Sequence, residues 1–168
     1  MIITVTDASG GAGKSVLAGR LAAARALAGR KVLLLDADPR RGALACCAAR
    51  PRLVARAISA KGLQPELEHL VNCYHDIVID SEGRDSMGSR AALIAARVVI
   101  VPFDAQHGDA AARELLVRRI GKARMFNPGL RVLLVCEPAE RARADVFAAQ
   151  IPAASVTDIE GLYGAVFQ

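Results

Sequence analysis

Short, unbroken apolar runs alternate with longer stretches of helical periodicity along most of this chain. Five runs predict strands: 2 to 6 (IITVT), 31 to 36 (KVLLLD), 76 to 80 (DIVID), 98 to 102 (VVIVP) and 131 to 136 (RVLLVC), with 153 to 157 (AASVT) as a candidate sixth. Apolar residues follow one another within these runs instead of alternating with polar ones, which is the pattern of strands covered on both faces. Between them, helical patterns span about 14 to 28, 53 to 61, 66 to 73, 86 to 96, 109 to 126 and 139 to 149. Gly29 and Gly62 close the first two, and Pro65 introduces the third. This alternation predicts stacked βαβ units, hence an α/β fold with a three-layer, doubly wound, mostly parallel sheet.

Composition narrows the picture. At 168 residues, 53% hydrophobic, 4% aromatic and without Trp, the chain predicts a single domain over 1–168 with a core of Ala, Leu, Val and Ile. No apolar run reaches the length of a membrane span. The opening MIITVTD lacks a basic n-region and carries Asp7, so a cytoplasmic protein without a signal peptide is expected. Cys46, Cys47, Cys73 and Cys136 form no CxxC pair, and His69, His75 and His107 are scattered, which argues against a disulfide framework and a zinc site. The net charge of +5, carried mostly by arginine, suits loose attraction to nucleic acid or acidic lipid.

The sharpest chemical signal is ASGGAGKS at 8 to 15, between the first predicted strand and the first predicted helix. Glycines 10, 11 and 13 allow backbone N–H groups to converge on an anionic oxygen, and the helix N-terminus adds its positive end. Lys14 would reach the β and γ phosphates, and Ser15 would offer its hydroxyl to Mg2+. The expected nucleotide-binding set is Ser9, Gly10, Gly11, Ala12, Gly13, Lys14, Ser15 and Val16. A plain glycine turn is the competing reading, and Gly-Lys-Ser in a strand-turn-helix context favours the phosphate loop. Asp80 ends the run IVID, matching the acidic residue that phosphate-loop NTPases place beside the metal; the alternative is an Asp capping the next turn. Asp36 and Asp38 follow the second strand and Glu82 follows Asp80, all where open parallel sheets place their ligands.

The loop departs from the general phosphate-loop pattern at Ala8, where a glycine is usual. Its doubled Gly10-Gly11 resembles the deviant loop of the ParA/MinD superfamily, Lys-Gly-Gly-x-Gly-Lys-Ser/Thr. VLLLDADPRRGA is similar to that family's Asp-x-Asp-Pro segment, and the stretch from HDIVID to VIVPFD resembles plasmid-partition ParA proteins. The resemblance covers most of residues 1 to 136. It implies a P-loop NTPase-like fold of the ParA/MinD type that binds ATP and ADP with Mg2+ and hydrolyses ATP slowly or under a partner's stimulus. Lys14 and Asp38 would be catalytic, with Asp38 near the attacking water, and Ser15, Asp38 and Asp80 would surround the metal. It further implies a nucleotide-dependent homodimer, a ParB-like stimulating partner, non-specific DNA binding, and work in plasmid or chromosome partition or intracellular positioning.

Ser9 stands where the family has a lysine that crosses to the partner's nucleotide. A second reading therefore accompanies the first: a nucleotide-binding interaction module with very low ATPase activity. In the helix predicted over 109 to 126, Leu116, Val117, Ile120 and Ala123 share one face, and Arg118, Arg119 and Lys122 the other. That basic face would meet DNA phosphates or remain an ordinary solvated surface. The final EGLYGAVFQ has no Lys or Arg, so membrane attachment is not expected.

Overall fold

A computed structural model of the chain describes residues 1–8, 13–47, 53–104 and 109–167. In chain order the elements are β1 (Ile2–Val5), α1 (Gly13–Leu27), β2 (Val32–Asp36), α2 (Gly42–Cys47), β3 (Val54–Ala57), α3 (Leu63–Leu70), β4 (Asp76–Asp80) and α4 (Met87–Ala95). There follow β5 (Val98–Pro102), α5 (Ala110–Phe126), β6 (Arg131–Val135), a 3-10 turn (Pro138–Glu140) leading into α6 (Arg141–Ala148), β7 (Ala154–Thr157) and α7 (Leu162–Phe167). The strands form one sheet in the order β3-β2-β4-β1-β5-β6-β7, and every neighbouring pair is parallel.

The continuous apolarity of the strands has the expected cause. All five residues of β2 are buried, and successive side chains enter opposite layers. Val32 and Leu34 join Ile3, Val5, Val78, Ile100 and Leu133 beneath α1, α2 and α7. Leu33 and Leu35 join Ile77 and Ile79 beneath α3 and α4, while Val99, Val101, Val132 and Leu134 lie under α4, α5 and α6. The three-layer, doubly wound arrangement is thus the observed one. Leu34 is fully buried in the layer beneath α1, α2 and α7. Leu34→Ala is expected to cost about 2–5 kcal/mol of stability, read as a lower urea midpoint with an unchanged slope.

Two local expectations need correction, and two short helices carried no expectation. The segment 53 to 61 is not a helix: Val54–Ala57 is β3, hydrogen-bonded at the sheet edge to β2. An edge strand buries little, and here Val54, Arg56 and Ala57 are exposed, so the segment lacked the dense apolar run that marked the central strands. Pairing to β2 overrides a weak helical pattern. Helix α3 also starts ahead of Pro65, which sits in the first turn where its missing N–H has no intrahelical partner to lose. Helices α2 and α7, six residues each, are too short to leave a readable period.

The topology also fixes where a ligand can sit. β1 feeds α1 on one face and β4, its neighbour, feeds α4 on the other, so the connections diverge at the carboxyl ends of these two strands. Such a divergence opens a crevice. The amino ends are closed differently: buried Asp76 accepts from Arg25 Nε at 2.8 Å, and the Arg25 guanidinium lies 4.0 Å from the Phe167 ring centroid, tying α7 to α1. Among the described residues no helix is long and apolar enough to cross a membrane. All four cysteines are free thiols.

Candidate functional site

Lys14 and Ser15 occupy the first turn of α1, at the divergence of β1 and β4. Lys14 is 1% exposed, an uncommon state for an ammonium, and burial at that depth requires anionic partners. It has two. Its Nζ donates to Asp80 Oδ1 at 2.5 Å and to Asp38 Oδ2 at 3.2 Å, and Ser15 Oγ donates to Asp80 Oδ2 at 2.6 Å. The structure therefore brings four sequence-predicted residues, Lys14, Ser15, Asp38 and Asp80, into one buried cluster built from α1, the end of β4 and the turn after β2.

Asp36 shapes that turn. Its Oδ1 accepts the Asp38 N–H at 3.2 Å and its Oδ2 accepts the Leu44 N–H at 3.0 Å, so one buried carboxylate ties the strand end to the start of α2. Arg41 takes a left-handed φ of 55° here, and its guanidinium donates to the carbonyls of Asp36 and Ile58. Those bonds hold a backbone conformation that a non-glycine residue adopts at a cost. Gly42 is needed for close approach: a Cβ there would lie 2.8 Å from Ser15 Oγ. Any side chain at 42 would push the serine hydroxyl out of place.

The two carboxylates on Lys14 respond in opposite directions. Asp38 is held well below the usual carboxylate range, first by Arg40, which donates through Nε at 3.1 Å, Nη2 at 2.9 Å and its backbone N–H at 2.9 Å, and then by Lys14. Asp80 is pushed up because burial outweighs the stabilisation from Lys14 and Ser15. Asp80 thus sits where a further cation would relieve it. The donor set consists of hard oxygens, Ser15 Oγ and the Asp80 and Asp38 carboxylates, which suits Mg2+. Among the described residues no three His, Cys, Asp or Glu side chains gather as a metal cage.

Among the described residues, two cavities lie near the cluster. One of about 280 Å³ is lined by Ala8, Asp38, Pro39, Arg40, Glu82, Gly83 and Arg84. The other, about 720 Å³, lies between the start of α1 and the ends of β5 and β6; Gly13, Val16, Arg20, Phe103 and Cys136 are among its walls. Val16 is 39% exposed and faces this larger cavity rather than the Lys14 cluster. Ser9, Gly10, Gly11 and Ala12 lie outside the described residues, as does His107.

On α5 one expectation fails. Leu116, Ile120 and Ala123 are buried as predicted, but Arg119 is only 5% exposed and does not share the outer face with Arg118 and Lys122. Its Nη1 donates to Gly83 O at 2.5 Å, bracing the loop after Asp80 from behind. Burial pulls its pKa below the usual arginine value, against the opposing pull of Asp85, Glu82 and Asp7. A local helical wheel could not separate Arg119 from Arg118, because what buries it is the loop from β4, 36 residues away. Asp7, buried at the end of β1, is a further acidic neighbour that the motifs did not single out.

A sequence model of the CobQ/CobB/MinD/ParA nucleotide binding domain matches residues 3–135, the span from β1 to β6. The chain belongs to this family. No curated protein matches the sequence. Solved structures do match in fold. The MinD cell division protein of Aquifex aeolicus superposes with a TM-score of 0.67 at 19% identity, covering 97% of this chain and 84% of its own. A plasmid partition protein from Borrelia burgdorferi gives 0.66 at 19% identity, covering 93% and 88%. Cobyrinic acid a,c-diamide synthase from Mycobacterium smegmatis, solved with bound ATP analog and magnesium, gives 0.69 at 18% identity, covering 86% and 79%. At these identities the likeness establishes the fold of this family member and not its activity.

Proposed function

We propose that this CobQ/CobB/MinD/ParA family member is an ATP-binding, slowly hydrolysing switch of the ParA/MinD type, whose ATP-bound form pairs with a second copy of the chain. The observation that carries the proposal is the buried cluster in which Lys14 holds Asp38 and Asp80 while Ser15 donates to Asp80. A lysine in that position is charged, desolvated and aimed at the crevice, so an incoming phosphate competes with two carboxylates for a preplaced cation. The phosphate-loop backbone from Ser9 to Gly13 would supply N–H donors. The cavity beside Gly13 and Val16 is of a size to take the nucleoside.

Ser15 and Asp80 would hold Mg2+, with Asp38 beside it, and the bound metal would neutralise charge on the phosphate oxygens. Before nucleotide arrives Asp38 is kept ionised by Arg40 and Lys14, and as a carboxylate beside the metal it would orient a water in line with the γ phosphate. Lys14 would absorb the charge that builds on the transferred group. The existence of a bound ATP analog and magnesium in the diamide synthase supports this ligand pair. The likenesses to a MinD cell division protein and a plasmid partition protein support plasmid or chromosome partition, or intracellular positioning, as the setting. A ParB-like stimulating partner and a cytoplasmic location belong to the same proposal. Non-specific DNA binding rests on a smaller basis than the sequence suggested, since Arg118 and Lys122 remain exposed on α5 and Arg119 does not.

Ser9 favours a second reading, a binding module with negligible turnover, because a cation supplied across a subunit interface is worth about 10³ to 10⁵ in phosphoryl-transfer rate. Light-scattering masses of the apo, ADP-bound and ATP-bound protein, with Ser9→Lys alongside, separate the two. The switch reading expects a dimer with ATP only, and a faster ATPase in Ser9→Lys. A monomer under all three conditions that is unmoved by Ser9→Lys in mass and rate leaves the binding module.

A further inference from the structure

Arg40 is not accounted for by the Lys14 cluster alone. It follows Asp38 and Pro39 in the turn after β2, and its guanidinium grips both oxygens of Asp38, with Nε on Oδ1 at 3.1 Å and Nη2 on Oδ2 at 2.9 Å. The two ends of this pair differ in environment: the Asp38 side chain is 3% exposed and that of Arg40 is 58% exposed. Asp38 is buried, and the arginine is the partner that reaches solvent. Asp7 and Asp80 also act on its charge, so the guanidinium lies within the field of the acidic strand ends. It lines the cavity of about 280 Å³ together with Ala8, at the entrance to the phosphate loop, and with Gly83 and Arg84 from the loop after β4.

We propose that Arg40 is the second cation for the terminal phosphate of a nucleoside triphosphate, resting on Asp38 until that phosphate arrives. This rests on the nucleotide-binding reading given above. A guanidinium fork that fits the two oxygens of a carboxylate also fits two oxygens of a terminal phosphate, which carries the larger negative charge. Lys14 is buried behind Asp38 and Asp80, whereas Arg40 approaches from the open side, so the two cations would hold the terminal phosphate from different directions. The exchange also releases Asp38 from its strongest partner at the moment a water must be oriented. Because a diphosphate ends one group short, Arg40 would distinguish the triphosphate from its product. Such discrimination is the core requirement of a switch.

The test is nucleotide affinity, measured on wild type, Arg40→Ala and Arg40→Lys by competition of ATP and ADP against a fluorescent ADP analogue, with a urea melt of each variant. Arg40→Ala is expected to weaken ATP about tenfold or more and leave ADP within about twofold. Arg40→Lys, which keeps the charge and loses the fork, should fall between them. Equal loss of ATP and ADP, or no loss of either, overturns the proposal and marks Arg40 as a structural partner of Asp38. Should Arg40→Ala fail to fold, Arg40→Lys alone decides, since an unchanged ratio of ATP to ADP affinity would contradict the assignment. Wild-type protein that binds neither nucleotide defeats the underlying nucleotide reading, an outcome distinct from an intact wild type with unselective variants.

Discussion

Lys14→Ala is expected to lower ATP affinity about a hundredfold or more, the effect of two lost charge-assisted hydrogen bonds to phosphate at about 1.5–3 kcal/mol each. The same change should also weaken the fold without ligand, and for a related reason. Removing Lys14 leaves Asp80, fully buried, with Ser15 as its one remaining side-chain donor among the described residues, while Asp38 retains Arg40. Stranding one member of a buried ion pair costs about 3–5 kcal/mol. The sign of the pH dependence follows from Asp80, whose folded-state pKa is already raised by burial and would rise further without the lysine. An acid with a raised folded pKa favours the protonated fold, so the variant should regain stability as the pH falls through that value. Urea melts of wild type and Lys14→Ala between neutral and mildly acidic pH check this: the gap between them should narrow toward acid. Equal gaps at every pH would mean that the buried charge on Asp80 is not what the variant suffers from.

Asp38→Ala is expected to separate binding from turnover. Asp38 does not belong to the phosphate loop, and its carboxylate is the group best kept ionised in the site, so its loss should cost about 10²–10⁴ in the rate of phosphate release. Affinity for ATP should change little, because relief of Lys14 and Arg40 from a competing carboxylate is offset by the loss of an oxygen beside Mg2+. Single-turnover phosphate release with saturating ATP reads the chemical step without product release. A rate equal to wild type would remove Asp38 from the chemistry and leave it as a holder of the two cations.

The parts of this molecule that the sequence made legible are those where one interaction dominates. Central strands are buried on both faces, so their apolarity is continuous, and β2, β4 and β5 were readable nearly to the residue. The gathering of Lys14, Ser15, Asp38 and Asp80 was legible because a lysine and a hydroxyl at a helix start and carboxylates at neighbouring strand ends fall at fixed places in such a sheet. What escaped depends on distant neighbours. β3 is a strand because β2 offers it an edge, and its own residues carry too little apolar surface to say so. Arg119 is buried because the loop after β4 covers it, which no helical wheel of α5 contains. Arg40 looked like one more arginine in a basic chain until its fork on Asp38 was visible. Val16, placed in the nucleotide-binding set by its position in the motif, faces the larger cavity proposed for the nucleoside.

These features share one claim, that the Lys14 cluster is a receptor for a magnesium-bound nucleoside triphosphate. Calorimetric titration of wild-type protein with ATP, with and without Mg2+, tests it most directly. The expected result is a single saturable site that strengthens with Mg2+ and is lost in Lys14→Ala. Absence of saturable binding to folded wild-type protein at millimolar ATP and Mg2+, or binding that Lys14→Ala leaves intact, would contradict the claim.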